Sequence, residues 1–216
     1  MTLVMPQKLD CPSCTTVFKA QVLASTNYAG TYTDFRRETS GFEPSQFTVH
    51  SCPSCGFSGP QGWFEEPISE QVRNLVKKNL STLTKDERTR PWRKFEYAAQ
   101  IAKWKSDPPD EIANLYVQAA YVCAANGNGE EEKSNRARAI ELFQESIDTG
   151  GIAAEHIPNV TYLIGEFYRR IGLSEDAYAW LEKAEALAKK RSDLAWLVKL
   201  ARQQRTDPQD MINQPD

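Results

Sequence analysis

The tetrapeptide Cys-Pro-Ser-Cys occurs twice in this chain, at residues 11–14 and 52–55. A Cys-x2-Cys turn can direct both of its sulfurs at one metal ion, and two such turns complete a tetrahedral set of ligands. Pro12 and Pro53 stiffen the turns because proline fixes φ. The sequence therefore predicts one metal site formed by Cys11, Cys14, Cys52 and Cys55.

The residue after each tetrapeptide differs between the two turns. Gly56 follows the second one and can adopt φ > 0, which lets backbone N–H groups approach the sulfurs. Thr15 stands in the same place after the first, so we expect that turn to be less regular. His50, two residues before Cys52, is an alternative ligand, but a strand residue facing away from the cysteines is the favoured interpretation.

Three kinds of chemistry fit four such cysteines. Four thiolates fill a tetrahedral zinc site and leave no position for water or substrate, which predicts one structural zinc ion. The two turns also resemble those of rubredoxin, so iron is an alternative metal. A third reading treats each tetrapeptide as a thioredoxin-type dithiol. That chemistry needs a thiolate at a helix N-terminus in a βαβ setting, and no βαβ pattern is present.

Other chemistry-bearing residues point away from catalysis. Cys123 lies in an apolar helical stretch, where a buried thiol is expected rather than a reactive one. Neither histidine, His50 or His156, stands in a recognisable catalytic frame. A phosphate loop and a nucleophile elbow are also missing from the sequence. We therefore expect a non-enzymatic protein.

Residues 1–60 carry short runs of β-branched and aromatic residues separated by glycine and proline. So few residues form a poor core alone, and a metal would stabilise them. The pattern predicts a small β module that resembles a zinc ribbon.

From residue 61 to about 206 the sequence is typical of helices, cut by Pro108-Pro109, by 126–129 and by Gly150-Gly151. This pattern predicts antiparallel helical hairpins, and residues 207–216 read as a flexible polar tail. The predicted fold class is α+β, mainly α.

The segment 162–187 resembles a tetratricopeptide repeat. The residues at that family's spacing are Gly165, Tyr168, Gly172, Ala177, Leu181 and Ala184. Gly165 and Ala177 would let two helices approach closely. A weaker unit covers about residues 112–149, and residues 68–105 read only as a helical pair.

Repeat helices of that family leave a concave face open, which implies a peptide or protein partner. The family spacing would direct Tyr162, Glu166, Arg169 and Arg170 to this groove, and Tyr116 in the weaker unit. The alternative is that these are ordinary surface residues.

Residues 85–105 combine many basic residues with Trp92, Phe95, Tyr97 and Trp104. One reading is a nucleic-acid adaptor in which this segment, or the zinc module, contacts RNA or DNA. The favoured reading is an amphipathic helix whose aromatic residues pack inward. The formal net charge of −3 also lacks the basic balance of a nucleic-acid binder.

The first residues lack the basic start and apolar run of a secretory signal, and no stretch approaches the roughly 18 apolar residues needed to span a bilayer. We expect a cytoplasmic protein without a membrane partner, whose thiols stay reduced.

The whole arrangement resembles a largely bacterial family catalogued as a domain of unknown function. Its members pair an N-terminal Cys-Pro-x-Cys with a later Cys-Pro-x-Cys-Gly-aromatic and continue as repeat-like helices. The matching residues here are Cys11, Pro12, Cys14, Cys52, Pro53, Cys55, Gly56 and Phe57. The resemblance implies the metal site and the architecture, and it implies no established activity.

Overall fold

The computed structural model describes residues 2–39, 41–84, 87 and 90–212. Its helices outweigh its short strands, so the predicted α+β, mainly α class is confirmed. The chain forms two compact units, Met1–Asn27 with Thr39–Asn135, and Tyr28–Glu38 with Arg136–Asp216. Within the described residues, no helix has the length and apolarity that a bilayer span requires.

Short strands occupy the N-terminal part of the described chain and form three two-stranded pairs, β1 with β2, β3 with β4 and β5 with β6. Their bounds are β1 Leu3–Asp10, β2 Val17–Ser25, β3 Tyr28–Thr31, β4 Arg37–Thr39, β5 Val49–Ser51 and β6 Ser58–Pro60. β1 runs antiparallel to β2, with Asp10 opposite Val17, and β5 runs antiparallel to β6, with Ser51 opposite Ser58. Each of these two hairpins therefore closes on one Cys-Pro-Ser-Cys turn.

Helices make up most of the chain after residue 69. Their bounds are α1 Glu70–Asn79, α2 Arg93–Lys105, α3 Pro109–Ala125, α4 Gly129–Asp148, α5 Ile157–Ile171, α6 Ser174–Ala188 and α7 Ala195–Thr206. Short 3₁₀ helices cover Pro44–Phe47, Gln61–Phe64 and Ser192–Leu194. Local chemistry explains two of the helix starts. The Ser69 hydroxyl accepts a hydrogen bond from the Val72 N–H at 3.2 Å, and Pro109 occupies the first turn of α3.

One hydrophobic core joins the cysteine turns to the first helices. Buried Cys52 and Phe57 share it with Val76 of α1 and Ile101 of α2. The Phe64 ring meets Phe57 edge-on, with ring centroids 5.2 Å apart. The division into units therefore differs from the predicted boundary at residue 60, because strands this short cannot enclose a core by themselves and share that of the helices.

The second unit includes the β3–β4 hairpin, far from its helices in sequence. The Phe35 ring packs on Tyr162 of α5, with centroids 5.2 Å apart, and on Trp196 of α7 at 6.1 Å. The residues after α7 pair with the same hairpin: the Thr33 N–H donates to the Asp210 carbonyl, and the Ile212 N–H donates to the Thr31 carbonyl, both at 2.9 Å.

These contacts differ from the prediction that residues 207–216 form a flexible tail. Residues 207–212 are held against the hairpin, because its backbone offers N–H and C=O groups that would otherwise lack partners. Residues 213–216 lie outside the described part of the chain.

Helices α5 and α6 approach closely at Gly165, as the sequence predicts. A Cβ atom added there would lie 2.8 Å from Leu181 Cγ and 2.9 Å from the Leu181 backbone nitrogen. Only glycine fits at this separation of α5 and α6, because the Leu181 backbone cannot move away from an added Cβ as the end of a flexible side chain could. The tetratricopeptide-like repeat itself stays a prediction.

We expect Gly165→Ala to lower the free energy of unfolding by about 1–3 kcal/mol, because the added methyl overpacks the α5–α6 contact. Urea denaturation measures the change. Gly129→Ala, at the start of α4 where a Cβ meets nothing within 4 Å, is the matched control and should not destabilise. Equal effects of the two substitutions would contradict the close contact.

Candidate metal centre

The two cysteine turns have the same backbone hydrogen bonds. In the first, the Thr15 N–H donates to the Cys11 carbonyl at 2.9 Å and the Cys11 N–H donates to the Thr16 carbonyl at 3.0 Å. In the second, the Gly56 N–H donates to the Cys52 carbonyl at 3.0 Å and the Cys52 N–H donates to the Phe57 carbonyl at 2.8 Å. Two copies of one local fold thus present the four thiols.

Thr15 corrects the expectation that the first turn is less regular. Its φ is +60°, close to the +77° of Gly56, so both residues lie in the left-handed region. The threonine side chain is β-branched and disfavours this conformation. The first turn therefore keeps the regular geometry at a conformational cost that the second turn avoids.

The four sulfurs converge across the two turns. Cys11 Sγ lies 3.6 Å from Cys55 Sγ, and Cys14 Sγ lies 3.6 Å from Cys52 Sγ. All four Sγ atoms lie within 4.8 Å of one another, and three of the cysteines are buried. Around a metal ion with bonds of about 2.3 Å to sulfur, the edge of a tetrahedron is about 3.8 Å.

Hydrogen bonds to the sulfurs favour a thiolate cluster. The neighbouring Cys11 and Cys55 thiols, and then the backbone N–H groups of Cys55 and Ser54, lower the pKa of Cys52 to about 2. The same proximity raises the pKa of Cys11, first through its hydrogen bond with Cys52. The cluster thus holds one thiolate readily, and further ionisation requires a positive charge among the sulfurs.

The donor set fits a single metal ion. Four sulfurs at these separations match a closed tetrahedral site, and the described residues add no fifth donor to the cluster. A dithiol of the thioredoxin type would place a Cys-x2-Cys pair at a helix N-terminus, whereas both pairs here lie in turns between strands. The residues present are therefore compatible with a bound metal, and their chemistry leaves its identity open between zinc and iron.

The model of one protein family matches residues 4–207, which is most of the chain and includes both cysteine turns and all the described helices. That family is described as an uncharacterized protein conserved in bacteria, DUF2225.

This chain belongs to the DUF2225 family.

A search of the curated proteins and a search of the solved structures each found no match to this chain. The resemblance to a bacterial family of unknown function is confirmed.

His50 of this DUF2225 chain lies outside the cluster of sulfurs. The side chain is buried on β5, and its ring meets the Phe64 ring edge-on with centroids 6.4 Å apart. Burial, and then the charge of Lys94, lowers the pKa of His50 to about 4, so the imidazole is neutral at pH 7. The structure agrees with the strand interpretation of His50 and not with the ligand interpretation.

The proposed groove residues of α5 lie inside the second unit. Tyr162 and Glu166 are fully buried, and the Tyr162 hydroxyl donates to the Thr33 carbonyl at 2.9 Å. Glu166 Oε1 accepts from the Thr33 hydroxyl at 2.7 Å, and Arg169 and Arg170 both donate to Glu166. The β3–β4 hairpin therefore covers the face on which repeat spacing placed a partner.

This cover corrects the groove assignment for the α5 residues. Arg169 and Arg170 keep 23% and 14% of their side chains exposed, and each also contacts Asp210. Tyr116, in the first unit, is buried as well. The Lys103 ammonium lies over the Tyr116 ring, 5.5 Å from its centroid. Of the five predicted groove residues, Arg169 and Arg170 are therefore the partly exposed ones, and partner binding there stays a prediction.

The aromatic residues of the basic segment 85–105 pack inward. Phe95 is fully buried, Trp92 is 9% exposed, and Tyr97 and Trp104 pack against the core of the first unit. Bases could not stack on the buried rings, so the structure favours the amphipathic-helix interpretation. Residues 85, 86, 88 and 89 of this segment lie outside the described residues.

One polar feature had no counterpart in the sequence reading. Asp34 of the hairpin and Arg136 of α4 are both fully buried, with 2.7 Å between Asp34 Oδ2 and Arg136 Nη2. Burial opposes ionisation of Asp34, yet Arg136 and Arg170 hold its pKa below the usual range. Helical periodicity gives no sign of such a pair, because 102 residues separate the two side chains.

We expect Thr15→Gly to raise the free energy of unfolding by a few tenths to about 1 kcal/mol, because glycine removes the left-handed strain of the first turn. Gly56→Ala, at the matched position of the second turn, should lower it by about 1 kcal/mol. Both values come from urea denaturation at a fixed metal concentration. Equal destabilisation by the two substitutions would show that the turns differ in conformation.

Proposed function

We propose that this chain is a non-enzymatic interaction protein whose N-terminal strands are held together by one structural zinc ion. The observation that carries the proposal is the convergence of the Cys11, Cys14, Cys52 and Cys55 sulfurs within 4.8 Å. Such a set saturates a tetrahedral ion, which suits a structural role and leaves no position for substrate. Zinc is preferred over iron because a structural role needs no redox chemistry.

Supporting this role, the sulfurs lie in a shared core. Cys11, Cys52 and Cys55 pack with Val72 and Val76 of α1, so an ion bound to them would connect both strand pairs to the helices. A metal in this position contributes folding free energy directly, because the unfolded chain does not present the four ligands together.

A surface of the β1–β2 hairpin supports the interaction role. Along one face, buried Leu9 is paired with Phe18, and farther from the cysteines exposed Met5 is paired with Val22. Leu3 on the same strand is 56% exposed and Met5 is 52% exposed. Gln7 lies between Met5 and Leu9 on this face, but exposed Leu3 and Met5 still present apolar side chains to solvent. Exposed apolar surface is typical of protein-contact sites, so we propose a peptide or protein partner there.

The metal is tested by elemental analysis of protein purified without added metal. We expect about one zinc per chain. Cys52→Ala should lose the metal, whereas Cys123→Ala should keep it, because Cys123 lies in α3 outside the cluster of sulfurs. Chelation of the wild-type metal should lower the thermal midpoint of the first unit.

Two results would contradict this part of the proposal. Iron with the visible absorbance of a four-sulfur site would make the centre a candidate electron carrier instead of a structural zinc site. Full metal content in Cys52→Ala would mean that the ion binds elsewhere.

The partner surface is tested by crosslinking in cells, followed by affinity purification and mass spectrometry. We expect the Leu3→Glu/Met5→Glu variant to lose a protein that wild type captures, because two charges oppose burial of the apolar face. Leu173→Glu, a change of an exposed leucine in the second unit, is the control and should retain capture. Identical capture by all three proteins would contradict a contact through this hairpin.

A further inference from the structure

A cavity of about 400 Å³ lies in the first unit, beside the second cysteine turn. Its walls come from β2, from the 3₁₀ helix Pro44–Phe47, from β5 with the turn after it, and from the start of α2. Its lining includes Phe18, Lys19, Phe47, Pro53 and Lys94. The volume is in the range of small-molecule sites, which measure roughly 300–1,000 Å³.

Both cysteine turns contribute to the shape of this cavity. β2 follows directly on the first turn, and Pro53 belongs to the second. An ion bound by the four sulfurs would connect the two turns and so the two walls that they carry.

Lys94 is a half-buried cation of the lining, and within the described part of the chain no salt bridge offsets its charge. Its ammonium donates to the Gln46 backbone carbonyl, and no carboxylate of the described residues lies within 4 Å of it. An ammonium has three N–H donors, so two remain for another acceptor. Burial lowers the pKa of Lys94 to about 8, and no acidic neighbour counteracts that effect.

Apart from Lys94, one charged side chain lines the cavity among the described residues, and it is also basic. Lys19 lies at the cavity with its side chain exposed, and no aspartate or glutamate is among the described residues that line it. An anion that entered would offset a cation that is costly to bury alone. The rings of Phe18 and Phe47 and the ring of Pro53 provide apolar surface around that point.

We propose that this cavity binds a small organic carboxylate, with the carboxylate on the Lys94 ammonium and an apolar group between Phe18, Phe47 and Pro53. A single ammonium with two available donors suits the two oxygens of a carboxylate, and the apolar walls favour an attached ring or alkyl chain over a bare inorganic ion. This site goes beyond the proposed function and is independent of which metal the sulfurs hold.

The experiment is a titration of the metal-loaded full chain followed by ¹H–¹⁵N NMR, with benzoate as the probe and benzamide as its uncharged counterpart. We expect saturable shifts for the amides of residues 18–21 and 46–51 with benzoate. Benzamide should bind about ten- to a hundred-fold more weakly, which is the range for loss of a charged hydrogen-bond partner. Inorganic phosphate should produce no saturable shift at these amides.

Substitutions of Lys94 test whether its ammonium binds the carboxylate. Lys94→Met should weaken benzoate binding about ten- to a hundred-fold, and Lys94→Arg should retain binding because the positive charge stays. Lys78→Met is the matched control on α1, where the side chain is exposed and outside the cavity, and it should bind as wild type does. Metal content and NMR dispersion show that each variant is folded.

Equal affinity of wild type for benzoate and benzamide would overturn the proposal without any variant. Undiminished benzoate binding by folded Lys94→Met, or tighter binding of phosphate than of benzoate, would overturn it as well.

Discussion

The approach of four thiols from two distant turns is the constraint on which the first unit depends. Sulfurs 3.6 Å apart in pairs cannot all ionise together without a cation between them. The turns at Cys11–Cys14 and Cys52–Cys55 end the β1–β2 and β5–β6 hairpins, so joining the turns also fixes both hairpins. The core beneath them then continues into α1 and α2 through Val76 and Ile101. The small β structure thus shares its core with the helices on one side and brings four sulfurs within metal-binding distance on the other.

The sequence predicts the cysteine cluster well, because the spacing of two thiols within a turn is a local property. The close approach at Gly165 follows from the sequence for a similar reason. A glycine at that spacing indicates that two helices approach closely, here at Leu181. Thr15 shows the limit of this reasoning. Its intrinsic preference argues against a left-handed conformation, but the hydrogen bonds of the turn and the position of the neighbouring thiols outweigh that preference.

The face of α5 illustrates a different limit. Helical spacing correctly places Tyr162, Glu166 and Arg169 near one another, but it does not say what covers them. The cover is the β3–β4 hairpin, whose Thr33 lies 133 residues before Glu166. The Asp34–Arg136 pair is likewise long-range. Contacts of this kind depend on how the chain returns on itself, which the periodicity of a single helix does not encode.

The same hairpin has a consequence for the order in which the chain takes shape during synthesis. Thr33 hydrogen-bonds Asp210, which is made 177 residues later. At typical elongation rates of about 5–20 residues per second, this separation corresponds to roughly 9–35 s on the ribosome. The first unit is fully synthesised once residue 135 has been added, so its core can form and its sulfurs can converge at that point. The partners of Asp34 and Phe35 are synthesised only later. Completion of the second unit is therefore a late event, set by the arrival of its last residues.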